Sequence, residues 1–385
     1  MNSSNDEFLN QSQQFEDQCE KAADAIAEAD VLVLVTGAGW GADSGLKVFA
    51  EVAKIPAYQK RGMQYADASK PELIVKDPEL FYGFWGDAFN TYRTTKPHEG
   101  FDIVARWRDD KNQANGHMVA NKIRDRVKEK VEARCPFQDE KTKRQTPYEA
   151  DGTSGAFFAF TSNVDAHHYD VFEAHEIHDC HGSVELWQCS DRDCDSGIWR
   201  APTEFMFNVD QETMLAPSKK REASDTSLRN GGLLNLPESS DKVGWYQDDS
   251  ESNWPKCGHC QKLGLSRLAR PSILMFGDHG WKWDLSQEIR WDLWRETIVE
   301  MATSVNVCIV EVGCGTTVAT CRNTSEYFIR DLLDKGGRAS LVRINPDFPS
   351  TTDPTIQKNI TPIMSTGLKA VMKIDQLYAE RHGKS

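Results

Sequence analysis

The sequence predicts an α/β protein in which helices cover both faces of a parallel β-sheet, with a small cysteine-bearing module attached. Three observations carry that reading. Four continuous apolar runs, at 31–35, 156–160, 307–312 and 341–344, read as strands buried on both faces. Stretches with helical spacing lie between them, and strands alternating with helices specify a parallel sheet. Two close cysteine pairs fall in the middle of the chain.

In chain order, residues 8–29 read as an amphipathic helix with Phe15, Cys19, Ala22, Ala23 and Ile26 on one stripe. Val31–Val35 is the first strand. Residues 108–150 form a highly charged insertion with a solvated helix around 119–131. Residues 210–253, rich in Ser, Asp, Gly, Lys and Glu, read as a long, partly disordered insertion. Residues 285–302 keep helical spacing through Leu285, Ile289, Leu293, Trp294, Ile298 and Met301. No internal repeat is visible.

A length of 385 residues allows two or three domains. With 39% hydrophobic residues, wholesale disorder is excluded. The net charge of −14 argues against direct, sequence-independent binding to nucleic acid. No apolar run approaches the roughly 18 residues of a membrane span. The N-terminus, Met1 to Glu7, is neither basic nor apolar, so a secretory signal is not expected and an intracellular location is. Lys141–Arg144 and Lys219–Arg221 are too short to read as nuclear signals, which leaves cytoplasm and nucleus both open. In that setting the ten cysteines point to metal binding or burial, not a disulfide framework.

Gly37, Gly39 and Ala42 follow the first strand and fit a G-x-G-x-x-G/A turn, whose glycines allow close approach to a pyrophosphate. The acidic companion expected about 20 residues later is missing. A tight turn without ligand is the competing reading. Gly315, Thr316 and Thr317 follow the third apolar run and Asn345 the fourth, where phosphates or a ribose would be held. Helix capping by Thr or Asn is the alternative there.

Cys189-x4-Cys194 and Cys257-x-x-Cys260 are separated by 62 residues and read as a tetrahedral zinc site. Four thiolates leave no open position, so the ion would be structural. Two unrelated thiol pairs are the alternative. Thr161-Ser162-Asn163-Val164-Asp165 offers an amide and a carboxylate to a polar ligand. His181 stands before a glycine as a candidate general base. Four further histidines crowd the same stretch, at 167, 168, 175 and 178, so spacing alone gives His181 only modest weight.

Taken in order, these pieces resemble the sirtuin family. They are Gly37-Ala38-Gly39, Thr161 to Asp165, His181-Gly182-Ser183, the paired cysteines, Arg270-Pro271 through Phe276-Gly277-Asp278, Gly315-Thr316-Thr317 and Ile344-Asn345. The resemblance spans about residues 22–375. Residues 41–46 and 273–278 are most similar to a bacterial-type branch.

The resemblance implies a Rossmann-like domain at 22–182 and 268–378, a zinc-binding module at 183–267 and an N-terminal extension at 1–21. It implies NAD as cosubstrate, contacted by Gly37, Ala38, Gly39, Phe49, Ser162, Asn163, Asp165, His181, Gly315, Thr316, Thr317 and Asn345. Structural zinc would sit on Cys189, Cys194, Cys257 and Cys260. His181 and Asn163 would be catalytic. The implied activity is transfer of an acyl group from a lysine of a peptide or protein to ADP-ribose, with release of nicotinamide. The peptide would pair as a strand with 273–278. An NAD glycohydrolase or ADP-ribosyltransferase on the same fold is the alternative, as is a catalytically weakened NAD-binding protein. No membrane partner is implied, and no oligomeric state.

Two departures stand out. The family's Gly-Ile-Pro-Asp-Phe-Arg is here Gly45-Leu46-Lys47-Val48-Phe49-Ala50. The missing arginine is a charged contact worth roughly 1.5–3 kcal/mol, unless Lys47 or Lys54 replaces it. Members that remove acidic acyl groups carry Tyr-x-x-Arg, and here Tyr82 is followed by Trp85, so an uncharged acyl such as acetyl is expected.

Overall fold

The computed structural model describes residues 2–134, 152–219, 244–246 and 252–382. The remainder of the two insertions expected at 108–150 and 210–253 lies outside the described residues. The strands are β1 (Val31–Thr36), β2 (Phe157–Thr161), β3 (Ile177–Asp179), β4 (Gly182–Cys189), β5 (Trp199–Arg200), β6 (Trp245–Tyr246), β7 (Lys256–Cys257), β8 (Ala269–Ile273), β9 (Asn306–Val312), β10 (Arg338–Ile344) and β11 (Ile360–Ile363). Six of them form one sheet in the order β11-β10-β9-β1-β2-β3, with every pairing parallel.

The first strand shows why its sequence is apolar throughout. Leu32 and Leu34 point to one face, against Cys19, Ala22 and Ile26 of the helix Asn2–Glu28 and residues of helices Gly100–Gln113 and Gly367–His382. Val31, Val33 and Val35 point to the other, against helices Met118–Arg134, Leu285–Glu300 and Thr320–Asp334. Each fully buried aliphatic side chain stabilises the fold by roughly 1.5–3 kcal/mol. The architecture is therefore a Rossmann-like parallel sheet with helices on both faces.

Several expectations are refined. The first helix runs unbroken from Asn2 to Glu28, across residue 22. The charged helix is not merely solvated. Ala120, Ile123 and Val127, at helical spacing, are buried against the second face. Leu285 is 52% exposed, and Trp291 is buried in the same helix. Two strands of the parallel sheet went unread: β3, where two of three residues are polar, and β11.

The smaller part of the structure carries an antiparallel sheet, β5-β4-β8, and the pair β6-β7. Helix Pro78–Thr94 supplies Phe81, Tyr82, Trp85 and Phe89 to a shared core with Trp187, Trp199 and Phe207. Near its end, buried Arg93 gives Nε to Glu185 Oε1 at 2.8 Å and Nη1 to the carbonyls of Pro202, Thr203 and Phe205. Met214 and Ala216, inside the expected 210–253 insertion, are buried in this core. The backbone of Met214 presses on the helix at Gly83, where a Cβ would stand 2.1 Å from the Met214 carbonyl oxygen. Tyr82 Oη donates to the Ala269 carbonyl at 2.6 Å, and Tyr82 stacks on Phe207 and Trp254. Tyr82 and Trp85 are thus core side chains, and the pair gives no reading of acyl charge. Among the described residues, no helix is long and apolar enough to cross a membrane.

Candidate active site and metal centre

The strand order reverses beside β1. The chain moves outward from β1 through β2 to β3, then returns to place β9 on the other side of β1. Ligands of such sheets bind beyond the carboxyl ends of the strands at this switch point. Here β1 runs into Gly37 and β9 into Gly313. The Gly37 amide donates to the Val312 carbonyl at 3.0 Å and the Gly39 amide to the Gly313 carbonyl at 3.0 Å. A Cβ on Gly37 would meet Gly313 O at 2.8 Å, and one on Gly39 would meet Gly313 Cα at 2.7 Å. The glycines are required by backbone packing, and two of the turn's amides are engaged in it. Among the described residues, the amide of Ala38, which opens the five-residue helix Ala38–Ala42, has no acceptor.

The Thr161–Asp165 loop leaves the neighbouring end of β2. A Cβ on Gly41 would stand 3.3 Å from Asp165 Oδ2 and 3.8 Å from Asn163 Nδ2. Gly41, Asn163 and Asp165 therefore line one recess. Asn163 Nδ2 is buried without a hydrogen-bond partner. Asp165 Oδ1 accepts the His167 amide at 2.9 Å. Ala166 then takes the left-handed conformation, with φ of 64°, which is uncommon for a residue with a Cβ. The Ser162 amide donates to Thr36 O at 3.1 Å, fastening the loop to β1.

His181 follows β3, held by the Cys180 amide on Thr161 O at 2.9 Å. Its Nε2 lies 3.3 Å from Thr320 Oγ1. Burial pulls its pKa below the usual imidazole value, against the opposing influence of Cys321 and a hydrogen bond to the Ser162 backbone. The ring is consequently neutral at physiological pH and can accept a proton. Only glycine fits next. Gly182 has φ of 78°, and a Cβ there would overlap the Ser272 carbonyl. The His181 carbonyl accepts the Leu274 amide at 2.9 Å, which ties segment 273–278 to the site. That segment is braced by a buried ion pair of Arg270 with Asp278. Leu274 and Phe276 project from it, each 42% exposed.

Gly315, Thr316 and Thr317 form an exposed loop after β9, with nothing within 4 Å of where a Gly315 Cβ would be. Asn345 is buried and acts as a loop brace. Its Nδ2 donates to Cys314 O at 2.9 Å and its Oδ1 accepts the Asp347 and Phe348 amides. Phe49 opens the short helix Phe49–Val52, and its side chain lies outside the described residues. The structure thus gathers Gly37, Ala38, Gly39, Ser162, Asn163, Asp165, His181 and the 315–317 loop at the carboxyl end of the sheet. Sequence reading missed Gly41 and Thr320. Thr320 begins the helix after the Thr316-Thr317 pair, so its position one turn onward was the available signal.

The four paired cysteines converge and are buried. Their ligand atoms all lie within 4.8 Å of one another. Sγ separations are 3.8 Å for Cys189–Cys260, 3.9 Å for Cys194–Cys257 and 3.5 Å for Cys194–Cys260. Thiolates at about 2.3 Å from a tetrahedral zinc would stand about 3.8 Å apart, so the donor set fits that ion. Ser196 supports it, with its amide donating to Cys194 Sγ at 3.5 Å and its Oγ 3.2 Å from the same sulfur. Lys282 Nζ clamps the Ser196 carbonyl at 2.9 Å. Ser196 was not anticipated, though it sits only two residues past a ligand.

No protein-family model matches the chain, and no curated protein does. Among solved structures the chain is similar to a Sir2 homologue in complex with NAD, at 16% identity over 94% of each chain, with a TM-score of 0.47. It is similar to a structure describing the basis of sirtuin substrate affinity, at 15% identity over 91% of this chain and 95% of that one, with a TM-score of 0.48. It is also similar to a Sir2 complex with a p53 peptide and NAD, at 16% identity over 94% and 97%, with a TM-score of 0.47.

Proposed function

We propose that this chain is an NAD-dependent protein-lysine deacylase of the sirtuin type. The observation that carries the reading is the recess at Gly41. An unpartnered, buried Asn163 amide and the Asp165 carboxylate share it, in the loop that also holds the ring of neutral His181. A buried amide without a partner is costly unless a ligand satisfies it. The order of motifs that resembles sirtuins supports the choice of ligand.

NAD, when bound, supplies the ADP-ribose acceptor and the nicotinamide leaving group. Asn163 donates through Nδ2 and Asp165 accepts, so the pair can hold an amide or a ribose hydroxyl. His181 takes a proton at Nε2, the nitrogen already facing a hydroxyl at Thr320. Segment 273–278 offers the peptide a strand edge, with Leu274 and Phe276 exposed along it. Zinc on the four cysteines would hold the small module together and supply no chemistry at the reacting atoms.

The weakened-enzyme reading draws on one observation of its own. The amides of Gly37 and Gly39 are given to Val312 and Gly313, and position 50 is alanine where the family has arginine. Incubation with acetylated peptide and NAD separates the possibilities. O-acetyl-ADP-ribose supports the deacylase, free ADP-ribose without deacetylation supports a glycohydrolase, and no product at all supports a binding protein.

A further inference from the structure

A cavity of about 330 Å³, lined by Cys180 and Gly182 on either side of His181 in the chain, is not used by the proposed reaction. It opens between β3, the β4 and β8 strands, the segment carrying Trp281 and Trp283, and the start of helix Leu285–Glu300. That volume falls in the lower part of the range of small-molecule sites.

Its chemistry is one-sided. Asp179, Asp284 and Glu288 line it, and no lysine or arginine does. Asp179 is 6% exposed, and its Oδ2 is buried with no hydrogen-bond partner. Trp281 and Trp283 form an aromatic corner, with ring centroids 5.8 Å apart and planes inclined by 44°. Carboxylates next to indole faces favour a cation, and indole is the best aromatic partner for one. A metal ion does not fit. Among the described residues only the four zinc-site cysteines bring three or more ligand atoms within 4.8 Å, so these carboxylates are too spread for one ion.

We propose that this cavity binds a small organic cation, an alkylammonium or methylated ammonium head group. Trp281 and Trp283 hold its apolar surface, Asp284 and Glu288 supply the negative charge, and Asp179 lies on the floor, where a bound cation favours its ionised form. The inference stands apart from the deacylase reading, since no step of that reaction is invoked.

Isothermal titration of the full chain with choline and with n-butylamine tests it. 3,3-Dimethylbutanol, the neutral isostere of choline, is the control. Expected is saturable one-to-one binding of at least one cation, with the neutral alcohol roughly tenfold weaker or worse. Trp283→Ala and Glu288→Gln change exposed side chains. Both should weaken the cation by about tenfold while leaving the melting temperature unchanged. A trimethyllysine peptide titrated in parallel distinguishes sources. Tighter binding than free choline assigns the site to a protein side chain, and equal or weaker binding assigns it to a free amine. Equal affinity for choline and its neutral isostere overturns the proposal, as does no saturable binding of either cation, or an unchanged affinity in Trp283→Ala.

Discussion

The amide of Gly39 donates to the carbonyl of Gly313 at 3.0 Å, and a Cβ on Gly39 would stand 2.7 Å from the Cα of Gly313. The end of β1 and the end of β9 meet backbone to backbone at the switch point of the sheet. The glycines that read as a nucleotide signature are first of all a packing requirement, and a cleft can open beyond them only because they touch.

Gly39→Ala should therefore destabilise the fold by about 1–3 kcal/mol through overpacking against a backbone that cannot recoil. Gly313→Ala should be worse, because its φ of 67° is left-handed and its Cβ would stand 2.5 Å from the Trp40 nitrogen. Gly315→Ala is the control. Nothing lies within 4 Å of its Cβ position, and its effect should stay within about 0.5 kcal/mol. Denaturant melts check all three, and equal midpoints for Gly39→Ala and Gly315→Ala would refute the packing account.

The purified protein should hold about one zinc per chain, which metal analysis measures directly. Cys257→Ser should lose it, and the module around β4 and β8 should become sensitive to protease, because metal binding here contributes directly to folding. The helix Pro78–Thr94 packs on the same core, so its protection should fall too. Metal-free protein with undiminished stability would dismiss the site.

Much of this was legible because local chemistry and tertiary environment agree. Val31–Val35 reads as a strand buried on both faces because every one of its side chains is buried. Cys257 and Cys260 flag metal by spacing alone. β3 was not legible. Its residues Ile177, His178 and Asp179 have no strand pattern, and the Asp179 amide is fixed by Gln287 Oε1 at 2.9 Å, from a distant helix. The recess at Gly41 escaped for the same reason. It exists because a residue without a Cβ meets two side chains from another loop. Tyr82 and Trp85 misled because a motif match does not reveal that both are buried.

His181→Ala should abolish acyl transfer while NAD binding, measured by calorimetry, changes little. The pH profile carries a second test. The base must be unprotonated, and burial lowers its pKa, so activity should fall only as pH drops below the usual imidazole value of about 6.5. A fall centred above that value would assign the limb to another group. His175→Gln should leave the profile in place.

Stability should peak near neutrality. Burial lowers the pKa values of His168, His175 and His178 to about 4, so the unfolded chain binds three more protons than the native one between pH 4 and 6.5. Burial raises Asp179 to about 8, so in the same window the native state holds one extra proton. Two protons net favour unfolding, and stability falls by about 2.7 kcal/mol per pH unit on acidification across that window. Above pH 6.5 only the Asp179 contribution among these groups remains, and stability declines as pH rises toward 8. Asp179→Asn should remove that alkaline decline and steepen the acid one. A melting temperature flat from pH 5 to 8 would rule this out.

The last prediction concerns the segment where sequence and family pattern part. Val48 caps the short helix Phe49–Val52. Its carbonyl accepts the amides of Glu51 at 2.8 Å and Val52 at 3.2 Å, and its own amide donates to Glu51 Oε2 at 3.0 Å. That is half of a capping box, lacking the return bond because valine has no side-chain acceptor. The loop should then be under-ordered as well as short of a charge at position 50. Val48→Ser should order it, at about 1 kcal/mol for a completed cap, without adding charge. Ala50→Arg should add charge without the cap. If closure over the ligand limits the reaction, Val48→Ser should raise kcat. If a phosphate contact is missing, Ala50→Arg should lower the KM for NAD, and Val48→Asp with Ala50→Arg should do both. The unmodified protein should show weak deacylation, a raised NAD requirement and some NAD hydrolysis, since an open loop admits water to the site. Tight NAD binding and full turnover in the unmodified protein would show that exposed Lys47 or Lys54 already supplies the charge, and that the 47–50 segment is an alternative anchor, not a defect.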